Sequence, residues 1–223
     1  MNAQLDADFG LTLAGADTVS AALIAEVNAV CDRVEDTADG DLLILRLKGG
    51  AAADTTGTHD VGIHLINKWE RTLRRLERLP VATVALVDGA CGGASAELLL
   101  ATDYRITSDD LKLRLPVAAG ATWPGMALYR LATQLGVAGA RRLALFGNEV
   151  DAQTALRAGL VDELAQDLAG ALAARRPLFA GARDGDLAIR RRLLMDAAAT
   201  RFDDALGAHL AAGDRAQRRS LQG

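Results

Sequence analysis

The segment from Pro80 to Ala101 places the strongest constraint on the fold. It contains an apolar run of strand length, Val81–Val87, a glycine-rich turn over residues 88–93, and an apolar run of helical length, Ser95–Ala101. A strand, a tight turn and a buried helix in this order put the turn at the carboxyl end of a sheet strand, where α/β proteins bind their ligands. The sequence therefore predicts an α/β fold with a ligand site at this turn.

Other segments alternate between strand and helix patterns. Predicted strands are Phe9–Leu13, Leu42–Leu47 and Tyr104–Thr107, of which the second reads as a parallel strand buried on both faces. Predicted helices are Thr18–Val34, Ile66–Leu76, Gly125–Leu135, Gly139–Phe146 and Asp151–Ala158, with further helix from Asp186 onward. Loops are expected over residues 49–62 and 116–124, so the chain is expected to form one layered α/β domain.

The composition and charge of the chain disfavour several classes of function. The 223 residues carry a net charge of -4, which disfavours nucleic acid or an anionic membrane as the partner. No stretch is long and apolar enough to cross a bilayer, and the start of the sequence does not resemble a secretory signal. Cys31 and Cys91 suggest neither a disulfide framework nor a metal site. A cytoplasmic protein without a metal is expected.

Two functions of the turn fit its residues poorly. The glycines at 89, 92 and 93 do not form the G-x-G-x-x-G spacing of a dinucleotide site. A serine nucleophile at Ser95 would need a histidine base, and no histidine lies between residues 65 and 208.

A third function is acid/base chemistry beside an oxyanion hole. Small residues at 92–94 would let backbone N–H groups approach an oxygen that becomes negative during a reaction. Glu97, one turn into the helix, could then transfer protons, and its neighbours Leu98–Leu100 favour a buried carboxylate with a perturbed pKa. The alternative is that Glu97 only complements the helix dipole.

Residues 80–98 resemble the signature of the enoyl-CoA hydratase/isomerase, or crotonase, family. Asp103, the segment 123–125 and residues 145–162 are similar to further family motifs. The resemblance implies a crotonase-like ββα spiral, with residues 1–165 as its core and residues 166–223 as a C-terminal helical segment used for trimerisation. It also implies an acyl-CoA substrate, no separate cofactor, and a homotrimer or hexamer.

The resemblance also assigns site residues. Glu97 matches the first catalytic glutamate of the hydratases, and the N–H groups of Ala53 and Ala94 match the oxyanion hole. Residues expected to contact the acyl-CoA substrate are Ala51, Ala52, Gly93, Val117 and Trp123. Hydratases carry a second glutamate just after a proline, whereas here Val117 follows Pro116. Two-carboxylate hydration is therefore not expected, but one base can still shuttle a proton between neighbouring carbons.

One subgroup is similar in more detail. The short chain, the missing second glutamate and the tail over residues 197–202 resemble DpgB-type enzymes of 3,5-dihydroxyphenylglycine biosynthesis. This implies dehydration or isomerisation of a polyketide-derived thioester beside a type III polyketide synthase. The alternative is a non-catalytic subunit of the same fold that assists the synthase.

Overall fold

The computed structural model describes residues 8–15, 18–37, 42–48, 61–118, 121–146, 149–180 and 186–221. Within these ranges the strands are β1 (Phe9–Ala14), β2 (Leu42–Lys48), β3 (Ala82–Asp88), β4 (Ala90–Cys91), β5 (Tyr104–Thr107), β6 (Lys112–Leu113), β7 (Val117–Ala118), β8 (Ala121–Thr122), β9 (Val150–Asp151) and β10 (Glu163–Leu164). The helices are α1 (Ala21–Asp36), α2 (Ile63–Leu76), α3 (Gly93–Leu100), α4 (Met126–Ala144), α5 (Ala152–Ala158), α6 (Leu168–Ala180), α7 (Leu187–Ala197) and α8 (Phe202–Ser220).

A five-stranded parallel sheet forms the centre of the molecule. Its strand order is β1-β2-β3-β5-β10, and every neighbouring pair is parallel. Two smaller sheets lie beside it, β4-β6-β9 and the antiparallel pair β7-β8. The prediction of a parallel α/β fold is confirmed, and the chain also has the predicted C-terminal helices.

The central sheet is buried on both faces. Because side chains alternate along a strand, Leu43 and Leu45 of β2 point into the larger core, which also receives residues of α1, α2 and α3. Leu42 and Ile44 point to the other face, where they join a smaller cluster with Leu172 of α6. This explains why β2 is a nearly continuous apolar run.

Helix ends follow local signals in the sequence. The hydroxyl of Ser20 accepts a hydrogen bond from the Leu23 N–H and so caps α1. Gly159 ends α5 in the left-handed conformation, with a φ of 73°. Gly136, with a φ of 69°, interrupts α4 at the place where the sequence predicts a gap between two helices.

Arg191 of α7 connects the C-terminal helices to the core through hydrogen bonds. Its buried guanidinium donates to both carboxylate oxygens of Asp103, at 2.6 and 2.5 Å, and to the backbone carbonyls of Leu79 and Val81. Asp103 also accepts hydrogen bonds from the backbone N–H and the hydroxyl of Thr83. Helix α7 is thereby held at the start of β3. A division of the chain at residue 165 stays a prediction.

None of the helices within the described ranges combines the length and the apolar character needed to cross a membrane.

Candidate active site

The glycine-rich turn joins β3 to α3 through left-handed backbone conformations. Gly89 has a φ of 77° and Gly93 a φ of 50°, values at which a side chain would be strained. The N–H groups of Ser95 and Ala96 both bond to the carbonyl of Gly92. The N–H of Ala94 precedes these bonds and belongs to the first-turn groups that a helix does not itself satisfy. The predicted Ala94 donor therefore lies in the first turn of α3, where backbone N–H groups can bind an anionic oxygen.

Helix α3 is buried along its whole length. All eight of its residues are buried, and Glu97 is its one ionisable residue. A helix that is apolar on every side is expected inside a core, but a carboxylate there loses its hydration. With only 5% of its surface exposed, Glu97 is the buried carboxylate that its apolar neighbours predict.

Trp69 of α2 is the hydrogen-bond partner of Glu97. The indole N–H donates to the Glu97 Oε2 over 2.7 Å, and the Trp69 side chain is fully buried. The sequence predicted α2 but gave no sign of this contact, which joins residues 28 positions apart.

The surroundings of Glu97 bring its pKa close to neutrality. The net pKa of Glu97 is about 7, and the main cause of this rise is burial. The hydrogen bond from Trp69 opposes the rise. The nearby charge of Glu70 adds to it, and that of Arg130 reduces it. A carboxyl group that gains and loses a proton near pH 7 suits general acid/base catalysis. The predicted burial of Glu97 is confirmed, and this burial perturbs the pKa of Glu97 as expected.

A charge cluster lies between α2 and α4. Arg130 of α4 bonds to Glu70 at 2.8 Å and to Glu77 at 2.6 Å. Arg74 also reaches Glu77, at 3.0 Å. This cluster, which the sequence patterns did not reveal, places one carboxylate, Glu70, and one guanidinium, Arg130, close enough to influence the pKa of Glu97.

The outward face of α2 borders a cavity of about 650 Å³. Its walls come from α2, α4 and α7 and include Ile63, Glu70, Arg130 and Met195. Glu97 is not among its lining residues, because Glu97 contacts Trp69 on the core-facing side of the helix.

The remaining predicted site residues fall into two groups. Gly93 and Ala94 lie with Glu97 on α3, whereas Val117 lies in β7 and Trp123 directly follows β8. The backbone N–H of Trp123 donates to the backbone carbonyl of Pro116 at 2.7 Å and so extends the pairing of β7 with β8. The predicted residues Ala51, Ala52 and Ala53 lie outside the described residues.

A serine nucleophile at Ser95 finds no support in the geometry. Ser95 is buried within α3, whereas a serine nucleophile on such a turn is exposed. Cys91 is buried as well. Within the described ranges, no three His, Cys, Asp or Glu side chains are grouped so that they could hold a metal ion.

Comparison with known proteins identifies the family. The family model described as Enoyl-CoA hydratase/isomerase matches residues 57–212. A protein of Amycolatopsis orientalis named "Enoyl-CoA-hydratase" is 43% identical over 215 residues, covering 96% of this chain and 98% of its own length. This chain belongs to the enoyl-CoA hydratase/isomerase family. Membership supports an enzyme with hydratase/isomerase-like activity.

Solved structures agree with this assignment. An enoyl-CoA hydratase/isomerase from Cupriavidus metallidurans CH34 superposes with a TM-score of 0.79 at 24% identity, covering 95% of this chain and 85% of the other. AtuE of Pseudomonas aeruginosa superposes with a TM-score of 0.74 at 25% identity, covering 97% and 89%. The predicted crotonase fold is confirmed.

Proposed function

We propose that this family member is a dehydratase or isomerase of an acyl-CoA thioester that uses Glu97 as its single catalytic carboxylate. The observation that carries the proposal is the state of Glu97, a buried carboxyl group with a pKa of about 7, one turn after a glycine-rich turn. Such a group has little structural reason to persist in an apolar helix, because burying it costs stability.

The proposed reaction begins with proton removal. Glu97 takes a proton from the carbon α to the thioester, and the electron pair of that C–H bond becomes an enolate. The N–H groups of Ala94 and Ala53 hold the enolate oxygen. The enolate then expels the β-hydroxyl group, which leaves as water after Glu97 returns the proton, and a C=C bond forms.

Val117 explains why a single carboxylate is proposed. Its isopropyl side chain cannot transfer a proton, so Glu97 must both accept and donate. Water loss that completes an aromatic ring supplies its own driving force, and a second acid is then less necessary than in hydration of an unactivated enoyl chain. Isomerisation by one base that moves a proton between neighbouring carbons is compatible with the same site.

We also propose a substrate class for the enzyme. We place the enzyme in the cytoplasm and in 3,5-dihydroxyphenylglycine formation, acting on a polyketide-derived thioester beside a type III polyketide synthase. The short chain, Val117 and the tail over residues 197–202 support this. Ala51, Ala52, Gly93, Val117 and Trp123 would contact the thioester. Coenzyme A enters as part of the substrate, and no other cofactor is proposed.

A homotrimer or hexamer is proposed as the assembly. Helix α8 exposes Phe202, Leu206 and Leu210, which lie four residues apart and therefore on one face of the helix. An exposed apolar face of this kind needs a partner surface. Light scattering is expected to show a trimer or hexamer at micromolar concentration, and a stable monomer would contradict this assembly.

A second candidate function is a non-catalytic subunit that assists the synthase, which Val117 at the second glutamate position favours. The two functions differ in their need for Glu97. We would add wild-type protein or Glu97→Gln to the synthase with malonyl-CoA and follow the aromatic product by mass spectrometry. The enzymatic function predicts that only the wild-type protein restores product, whereas full restoration by Glu97→Gln would favour the assisting function.

A further inference from the structure

The buried face of α2 carries one polar contact to the candidate site. Trp69, Thr72, Leu73 and Leu76 are the buried residues of this helix. Of these, Trp69 reaches Glu97 with its indole N–H, at 2.7 Å from Oε2. A tryptophan could fill this space through packing alone, but here its single N–H points at the carboxylate that the proposed function uses.

We propose that Trp69 is a positioning residue that holds Oε2 of Glu97 and so directs Oε1 towards the carbon that loses its proton. The inference rests on the proposed function, since it assigns a role relative to the reacting carboxylate. Trp69 does not touch the substrate in this account. It acts through Glu97.

The chemistry of indole suits this role. The indole N–H is a donor with no acceptor capacity, so it bonds to Glu97 without competing for the proton. The ring is rigid, and its burial leaves it little freedom to move. A glutamate side chain has three rotatable bonds, and fixing one of its oxygens removes much of that freedom before the substrate arrives.

The same hydrogen bond affects when Glu97 is charged. A donor to a carboxylate stabilises the charged form, and the contact with Trp69 accordingly lowers the pKa of Glu97 against the effect of burial. Loss of the N–H therefore raises this pKa above about 7. If Trp69 only filled space, replacing it with another aromatic residue would leave the pKa of Glu97 unchanged.

The contact can be tested by NMR without any substrate. The chain contains two tryptophans, so a ¹⁵N-labelled sample gives two indole signals, and Trp69→Phe assigns them. We expect the Trp69 signal to lie downfield and to titrate with a midpoint near that of Glu97. Glu97→Gln should abolish this titration. A Trp69 signal that is independent of pH between 5 and 9 would overturn the proposal.

The role can be tested by kinetics on Trp69→Phe, which keeps a ring but removes the N–H. Because a hydrogen bond to a charged group is strong, we expect kcat to fall about ten- to a hundredfold with little change in KM. The acidic limb of the pH profile should move to higher pH by about one pH unit. The control is Leu76→Ala, which perturbs the same buried face of α2 and should leave the pH profile unchanged.

The outcomes separate this inference from the proposed function. If Glu97→Gln is inactive while Trp69→Phe has wild-type kcat and pH profile, Trp69 is not a positioning residue but the proposed function stands. If Glu97→Gln keeps wild-type turnover, the proposed function fails. In that case Trp69 also loses its role in positioning, even where the NMR titration still shows the hydrogen bond.

Discussion

Arg130 of α4 and Glu77 at the end of α2 form an ion pair 2.6 Å long, with side chains only 7% and 5% exposed. Arg130 also bonds to Glu70 at 2.8 Å. The cluster thus joins α4 to the helix that carries Trp69, and two of its charges, those of Glu70 and Arg130, act on the pKa of Glu97.

Removing the guanidinium of the cluster should destabilise the fold. Arg130→Ala removes the guanidinium that Glu70 and Glu77 share and leaves Glu77 with Arg74 as its cationic partner. Breaking a buried pair in this way costs about 3–5 kcal/mol. Urea unfolding followed by circular dichroism measures the change. Arg141→Ala, an exposed position on the same helix, serves as the control and should change the free energy of unfolding by less than about 0.5 kcal/mol. A loss below about 1 kcal/mol in Arg130→Ala would show that the pair contributes little.

The attachment of the C-terminal helices gives a second matched pair of variants. Arg191 is buried against Asp103, whereas the neighbouring Arg192 is 82% exposed. Arg191→Ala removes the guanidinium that pairs with the Asp103 carboxylate and that donates to the carbonyls of Leu79 and Val81, so we expect a loss of about 3 kcal/mol or more. Arg192→Ala should have almost no effect. Differential scanning calorimetry compares them, and equal melting temperatures would refute the role of Arg191.

Much of the fold could be predicted from local patterns. Strand β2 and helix α1 were predicted because their apolar residues follow the periods of a strand and of a helix. Helix α6 lies within the C-terminal helical segment that the family resemblance implied, but apolar periodicity did not predict it, since its small and basic residues form no clear apolar stripe and Pro177 lies inside it. The β7-β8 hairpin was predicted only as a loop, because pairs of two residues leave no recognisable period.

The candidate site could be predicted only in part, for a different reason. Glu97 was found because a glycine-rich turn and an apolar run surround it within a few residues. Trp69, Glu70 and Arg130 contribute through contacts between distant parts of the chain, which periodicity does not report. The direction of the pKa shift of Glu97 could be expected from its apolar neighbours. The hydrogen bond from Trp69, which opposes this shift, could be recognised only in the tertiary structure.

The buried carboxyl group of Glu97 should make stability depend on pH. Its pKa is raised from 4.5 to about 7 in the folded protein, so below pH 4.5 both states hold the proton and there is no penalty. Between these values the unfolded chain releases the proton first, and stability falls as the pH rises. Above pH 7 the full penalty, about 3 kcal/mol, is present.

Glu97→Gln should remove this penalty, because a neutral amide does not ionise. The variant should be more stable than the wild-type protein at pH 8, by up to about 3 kcal/mol, and similar to it at pH 4.5. Urea unfolding at the two pH values measures the difference. A variant that is equally or less stable at pH 8 would mean that Glu97 is not held at a cost to the fold.

Restoring a second carboxylate tests the role of Val117. If this position matches the second glutamate of the hydratases, Val117→Glu should raise any trace hydration of crotonyl-CoA, since the added carboxylate could activate water. The loss of the ultraviolet absorbance of the enoyl thioester measures the rate. Thr122→Glu, at the position paired with Val117 in the hairpin, is the control. Equal rates in both variants would argue against the positional match.

The central claim is that Glu97 moves the proton α to a thioester, and hydrogen exchange measures this step directly. Wild-type protein and Glu97→Gln are incubated in D₂O with a panel of acyl-CoA thioesters that includes acetyl-CoA and butyryl-CoA, and deuterium at the α-carbon is followed by mass spectrometry. One acid/base group contributes about 10²–10⁴-fold in rate. The account predicts that the wild-type protein accelerates exchange and that Glu97→Gln is slower by about this factor, with little change in thioester affinity by calorimetry. Exchange by Glu97→Gln at the wild-type rate would contradict the account.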